Sequence, residues 1–239
     1  MSEVAFSPNS LLYWFPKVLA SGVPAPRTGI VMVGHLNLWE LLDGTDPFTE
    51  ETKRSLVAVG RAVGYPLFLR TDILANKHDW KDSCYVPDEE VLFQHIFSLV
   101  ERHALAFGIP DPQALVFREL LAVRPAFHAF NGLPISRERR YFVRGGRVVC
   151  AHPYWPEDAI RNPDASNWKE LLADLSSQSV GEQIILSRWA CQVSGVLPGY
   201  WSVDFLETKS DGWFLIDMAK GENSFHPTCP HKLPPEDVE

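Results

Sequence analysis

The spacing of apolar residues along this chain switches between the helical and the strand period, and the switches predict its elements. Leu11, Leu12, Phe15 and Leu19 form one face of a first helix, capped by Asn9 or Ser10, with Pro16 limiting its regularity. Ser21 to Pro26 ends that helix, Thr28 to Val33 reads as a strand, and Leu36 to Leu42 as a brief helix closed by Asp43-Gly44. The next helix runs over roughly Thr49 to Val63, with Glu50 and Glu51 in its first turn, where the helix dipole favours negative charge. Gly64-Tyr65-Pro66 breaks it. Leu67-Phe68-Leu69-Arg70 is then a short strand that delivers a cation into a long loop of mixed charge, Thr71 to Asp82. Asp88 caps a helix carrying Val91, Leu92, His95, Ile96, Leu99 and Val100 at helical spacing, and His95 and His103 read as residues of its surface or core edge. A strand lies within Ala114 to Val123, its apolar run interrupted by Arg118-Glu119. Ser166 or Asn167 starts a helix through Leu171, Leu172 and Leu175, and Val180 to Val193 forms another.

Two stretches change to period two around turn residues. In the first, Arg137, Arg139, Arg140, Arg144 and Arg147 cluster in a hairpin turned by Gly145-Gly146. Alternation puts Glu138, Arg140, Phe142 and Arg144 on one face and Arg139, Tyr141 and Val143 on the other, so that one face offers two guanidiniums for bidentate phosphate binding. The competing reading is an exposed hairpin with solubilising arginines. In the second stretch, Trp201 to Phe205 and Trp213 to Met218 flank Thr208 to Gly212, and Asp-Gly between apolar runs is a hairpin signal. A loop of two residues or of four puts Asp204 and Asp217 on the same face, diagonal in the first case and directly opposite in the second, with Cβ atoms about 7–8 Å or about 5 Å apart. Two such acids repel unless a cation or a shared proton lies between them, and a hard ion such as Mg²⁺ takes oxygen ligands of this kind. The alternative is an edge hairpin whose acids face water.

Composition narrows the classes. With 239 residues, 46% hydrophobic and 22% charged, the chain has the make-up of a globular protein able to bury a sizeable core. Its net charge of −8 weighs against a protein that holds nucleic acid through a broad basic surface. No apolar run approaches the ~18 residues of a membrane span and the N-terminus lacks a signal pattern, so a cytoplasmic location without membrane partners is expected. The four cysteines are widely scattered, which favours reduced thiols. His226-Pro-Thr-Cys229-Pro-His231 carries metal donors, but no second ligand pair at zinc spacing accompanies it, and it reads as a solvated proline-rich tail. There is no HExxH helix and no G-x-S-x-G elbow.

In this order the features resemble the ATP-grasp superfamily, in its compact, divergent clade of phages and bacteria, over roughly Lys17 to Ser224. Lys17 to Thr28 is similar to the K…G-V-P-x-P-x-T opening of the N-terminal lobe, and Val63 to Arg70 to the G-Y-P-hydrophobic-K strand whose cation touches the nucleotide phosphates. Here that cation is Arg70, which keeps the contact but stays protonated. Val116-Phe-Arg118-Glu119-Leu-Leu121 resembles the hinge that hydrogen-bonds adenine, and Glu138-x-Arg140-x-Phe142 the strand that sends an arginine to the phosphates. Val203-Asp204 and Leu215-Ile216-Asp217 resemble the two strands that supply magnesium ligands.

The resemblance implies an α+β fold of two lobes with antiparallel sheets clasping a nucleotide cleft. It implies an N-terminal lobe over 1–62, a small lobe with the phosphate loop over 63–115, and a C-terminal lobe with the metal site over 116–239. ATP and Mg²⁺ are the implied cofactors. Arg70, Arg118, Glu119, Leu121 and Arg140 would hold the nucleotide. Many relatives place Asn where Ala219 stands, so a third metal ligand beside Asp204 and Asp217 would come from Glu222 or Asn223. The glycine-rich phosphate flap is missing between Arg70 and Cys84, and Lys77 and Lys81 would join Arg140 in the catalytic set in its place. The implied activity is that of a ligase that activates a carboxylate as an acylphosphate for attack by an amine or other nucleophile, with a small molecule or a peptide as substrate. A second reading is an ATP-binding assembly or adaptor protein acting on a protein partner. A third, a nucleic-acid end-modifying enzyme, is disfavoured by the acidic whole.

Overall fold

The described residues of the computed structural model, 6–226, form five α-helices and ten strands. In chain order these are α1 (Leu11–Ser21), β1 (Thr28–Met32), α2 (Glu50–Val63), β2 (Leu67–Thr71), β3 (Tyr85–Val86), α3 (Leu92–Ala104), β4 (Ala114–Glu119), β5 (Phe127–Ala129) and β6 (Leu133–Ile135). There follow β7 (Glu138–Arg144), β8 (Arg147–Pro153), α4 (Trp168–Ser176), α5 (Val180–Ser194), β9 (Tyr200–Glu207) and β10 (Trp213–Lys220). They fall into two compact units, one of residues 26–121 with 130–133, the other of the described residues before 26, between 122 and 129, and from 134 on. These divisions differ from the expected ones at 62/63 and 115/116. The cause is that β1 pairs with β4 residue for residue, Thr28 opposite Arg118 through Met32 opposite Ala114, which binds the early strand to the sheet that follows it.

The 26–121 unit is an antiparallel sheet in the order β1-β4-β2-β3. Its period-two alternation sends Val31, Leu67, Leu69, Leu115 and Phe117 to one face. There they pack with Leu56 and Val63 of α2 and with Leu92, Ile96, Leu99 and Val100 of α3, the helical stripes read from the sequence. Thr49 caps α2 by accepting from the Thr52 amide at 3.1 Å. Helix α3 starts later than expected, because Asp88 accepts from the amides of Glu90 and Val91 and caps a turn ahead of it. Helix α2 sits close against β1 because position 29 is glycine: a Cβ there would lie 2.4 Å from Val59 Cγ1. His95 and His103 are buried, the latter between Thr71 Oγ1 and the carbonyl of Pro110.

The segment expected as a long loop is partly wound. Lys77–Asp79 is a 3₁₀ turn and Trp80–Cys84 a π turn, anchored by the packing of Trp80 against the rings of Phe68 and Tyr85. Cys84 at its end is fully buried, and burial pushes its thiol up to about 12. At pH 8 only about one thiol in 10⁴ would then be thiolate. Cys84 is expected to escape iodoacetamide in the native protein and to react in denaturant; peptide mapping that finds it modified as fast as the half-buried Cys191 would contradict this burial.

The second unit is built on the antiparallel sheet β10-β9-β7-β8. Trp201, Val203 and Phe205 alternate onto the face that receives α1 and α5, where Tyr13 stacks on Trp201 at 6.1 Å and Trp189 meets Phe205. Helix α1 is capped by Ser10, which accepts from the Leu12 amide, and ends at Gly22 with φ +74°. Helix α5 is capped by Ser179. The Gly145-Gly146 turn joins β7 to β8 as expected, with φ of +54° and +74°. Its arginines are not all solvated: Arg147 is exposed, whereas Arg139 is buried. Arg139 is 2% exposed, pairs with Glu182 of α5 at 2.6 Å, and donates to the carbonyls of Glu138, Leu175 and Ser177. No described helix is long and apolar enough to cross a membrane.

Candidate functional site

The face of the second sheet that points away from α1 and α5 collects the polar residues of four strands. The register places Arg140 of β7 opposite His152 of β8 and opposite Asp204 of β9, so the three lie in one row. Asp217 of β10 extends the row, because it pairs directly with Asp204. This is the directly opposed arrangement, reached by a route the sequence did not disclose. The connection between β9 and β10 has five residues, 208–212, a length that alone would set Asp204 against Ile216. A bulge between Leu215 and Asp217 leaves Ile216 as the extra residue and turns Asp217 to the same face as Asp204.

The guanidinium of Arg140 binds Asp204 in a fork, Nε to Oδ1 and Nη2 to Oδ2, both at 2.8 Å. Its Nη1 donates to the carbonyl of Phe225, and its Cζ lies 4.7 Å from the ring centroid of Tyr154. Burial works against the charge on Arg140, but Asp204, with smaller contributions from Tyr154 and Asp217, outweighs it and holds the pKa above the ordinary arginine value. Asp204 is buried and Asp217 half-buried, and Asp217 Oδ1 accepts from the Met218 amide. Arg144, the other guanidinium expected on this face, lies over the ring of Tyr200 at 4.9 Å. The two arginines are thus held by partners within the sheet and are not splayed toward solvent.

Residues 224–226 cross this same face. Ser224 Oγ meets Ser202 Oγ at 2.5 Å, Phe225 accepts from Arg140, and the ring of His226 packs 4.0 Å from that of Phe142. His226 is therefore half-buried on the sheet, which corrects the solvated reading of that residue. Cys229 and His231 lie outside the described residues. Glu222 is exposed on the 3₁₀ turn Gly221–Asn223, and Asn223 Oδ1 accepts from Asn9 Nδ2 at 3.1 Å. Among the described residues, no third carboxylate gathers with Asp204 and Asp217.

In the 26–121 unit the register brings Arg70 and Arg118 to one sheet face, on diagonal positions, since Phe68 is opposite Arg118 and Arg70 opposite Val116. Both are buried. Arg70 donates to the carbonyls of Thr71 and Ile73, and Arg118 to Thr28 Oγ1. Glu119 at the end of β4 is paired with Arg27 at 3.1 Å, and Leu121 lies two residues beyond the strand. Lys77 and Lys81 sit on the wound segment. Lys81 lies across Gly132, where a Cβ would be 2.5 Å from its Cε, and the neighbouring Asn131 donates to Asp82.

The sequence matches the family described as ATP-grasp domain, R-2-K clade family 3, over residues 58–233. No curated protein sequence matches it significantly. Among solved structures the fold is similar to C-terminally truncated Cdc123 from Schizosaccharomyces pombe, with a TM-score of 0.57 at 14% identity, over 91% of this chain and 87% of that one. It is similar to biotin carboxylase from Campylobacter jejuni in its beta-gamma-ATP complex, with a TM-score of 0.52 at 13% identity over 86% of this chain. It is also similar to N5-carboxyaminoimidazole synthase from Aspergillus clavatus in complex with ADP, with a TM-score of 0.50 at 14% identity over 89% of this chain. The chain spans only 38% and 44% of the last two proteins. At such identities these likenesses concern the fold. Together with the family match over most of the chain, they establish that this α+β protein is a member of the ATP-grasp domain family 3 of the R-2-K clade.

Proposed function

We propose that this ATP-grasp protein is an ATP- and magnesium-dependent ligase that activates a carboxylate as its acylphosphate. The observation that carries the reading is the row on the second sheet, in which Asp217 stands directly opposite Asp204 with Arg140 beside them. Phosphoryl transfer asks mainly for positioning and for charge neutralisation, and a site of two acids and several cations suits it better than one built around a nucleophile. A carboxylate oxygen of the substrate attacks the γ-phosphorus, the bond to the β,γ-bridging oxygen breaks, and ADP leaves. An amine then attacks the acyl carbon, inorganic phosphate departs, and the amine gives up a proton.

The residues present fit magnesium. Asp204 accepts one hydrogen bond on each oxygen and so keeps a lone pair on each, while Asp217 is half-exposed and offers a second carboxylate from the facing strand. Asp204 and Asp217 would hold the ion; the further oxygen donor proposed from Glu222 or Asn223 would have to be brought to them, since Glu222 does not gather with the pair. When bound, magnesium neutralises charge on the phosphate oxygens. In this reading Arg140, anchored by Asp204, presents its charge to the phosphates; within the 26–121 unit, Lys77, Lys81, Arg70 and Arg118 are proposed as cations for the nucleotide and the segment from Arg118 through Glu119 to Leu121 as its adenine contact.

A second reading, ATP binding by an assembly or adaptor protein with little turnover, draws support from the fork that already engages both oxygens of Asp204. Incubation with ATP and Mg²⁺, with and without pools of amino acids and peptides, separates the two. ADP that forms only when a pool is present supports the ligase. Tight ATP binding without ADP supports the adaptor, and absence of ATP binding overturns both.

A further inference from the structure

At the β8 end of the Arg140 row, the same sheet face holds a second cluster of a different chemistry. Cys150 and His152 occupy alternate positions of β8, so both point to the face that carries Phe142 and Arg140. His226 comes to them from the chain beyond β10. Its Nε2 lies 2.9 Å from Cys150 Sγ, its ring centroid lies 5.0 Å from that of His152, and donor atoms of all three residues fall within 4.8 Å of one another. Cys150 is buried, the two histidines are half-buried, and Phe142 and Tyr200 wall the cluster with apolar surface. The Nε2 of His152 is buried with no hydrogen-bond partner among the described residues. A buried imidazole nitrogen left so is costly unless something accepts its lone pair or its proton.

We propose that Cys150, His152 and His226 form a zinc site. One thiolate and two imidazoles are borderline-soft donors that suit zinc and do not suit magnesium, so this centre is distinct from the paired aspartates and does not depend on the ligase reading. Zinc with a sulfur ligand at about 2.3 Å and a nitrogen ligand at about 2.1 Å in tetrahedral geometry sets those two atoms about 3.6 Å apart. The observed separation of 2.9 Å therefore asks His226 to withdraw by under about 1 Å. The positive charge of Arg140 next to His152 does not preclude a cation, because Asp204 engages that guanidinium in a bidentate pair. Three protein ligands leave a fourth position open. An ion here would fasten residues 224–226 to β8 and so hold the Phe225 carbonyl on Arg140, linking zinc occupancy to the row that the proposed ligase uses.

The test uses the full chain, stripped with a chelator and titrated with Co²⁺ as a spectroscopic probe. The wild type is expected to develop a thiolate-to-cobalt charge-transfer band at one equivalent, which Zn²⁺ bleaches. Cys150→Ser is expected to lose the band, His152→Gln to weaken Co²⁺ binding by about tenfold or more, and Cys191→Ser to behave as wild type. Because a variant can lose the signal by failing to fold, far-UV circular dichroism of each is recorded, together with the rise in melting temperature on adding Zn²⁺, which should appear in the wild type and be lost in a folded His152→Gln. Absence of a thiolate band in the wild type, or a band that persists in Cys150→Ser and vanishes in Cys229→Ser, overturns the assignment.

Discussion

Asp217→Asn is expected to lower magnesium-dependent ATP turnover by at least about 100-fold while leaving the protein folded, because loss of even an outer-sphere partner of a metal costs about 10- to 100-fold and a direct ligand costs more. The choice of Asp217 over Asp204 follows from their surroundings. Asp204 is buried and carries the fork to Arg140, so its removal would strand a guanidinium inside the sheet and confuse lost catalysis with lost stability. Asp217 is half-buried, and asparagine keeps its volume and its acceptor for the Met218 amide. The readout is the initial rate of ADP release at saturating ATP across a magnesium titration, with melting temperature as the control for folding. A variant that matches the wild type at every magnesium concentration would sink the assignment of the paired acids, whatever becomes of the zinc site.

Breaking the ion pair between Arg139 and Glu182 should produce the largest change in stability. Both side chains are nearly inaccessible, at 2% and 5%, and Arg139 donates three of its remaining protons to backbone carbonyls at the ends of α4 and β7. Burial lowers the pKa of Arg139 more than the Glu182 charge raises it, so the pair is held at some cost by the geometry around it. Removing Glu182 leaves the Arg139 charge buried with no acid beside it, which destabilises a protein by about 3–5 kcal/mol, and it also takes away the second, longer contact of Glu182 with Arg137 at 3.6 Å. Glu182→Ala should therefore drop the melting temperature by roughly 10 °C, at about 2–4 °C per kcal/mol for a chain of this size. Replacing both residues with apolar ones of similar volume, Arg139→Met with Glu182→Leu, should recover much of that loss. A single variant within about 2 °C of wild type would show that Arg139 is satisfied by carbonyls alone.

The sequence disclosed Asp217 and Arg139, and the elements that carry them, unequally. Helices α2, α3, α4 and α5 and strands β1, β2, β4, β9 and β10 follow from local periodicity and caps, and the two hairpins of the second unit from the turns at Gly145-Gly146 and Asp211-Gly212, but not the pairing of β7 with β9 that joins them into one sheet. The strands that escaped, β3, β5 and β6, have two or three residues each, too few for a period to show. Alternation correctly separated the Arg139 face from the Arg140 face. It was blind to what meets each face, because Glu182 lies 43 residues from Arg139 and Asp204 lies 64 from Arg140. Sequence spacing thus presented both as free cations, where the fold gives each an acid. The Cys150, His152 and His226 cluster was hidden in the same way: the donors 76 residues apart satisfy no compact spacing, and the signal that pointed toward it, the two alternate donors on β8, is a pattern any strand can carry.

The bulge at Ile216 makes the aspartate pair a matter of parity. An odd number of residues in the turn and one surplus residue in the strand cancel, and the acids end on the same side; an even turn with a regular strand would give the same outcome. Two spellings of one geometry are therefore open to chains of this kind, and a single deletion in the turn is survivable wherever the strand can iron out its extra residue. Loss of either irregularity without the other would point Asp217 into the apolar layer under the sheet.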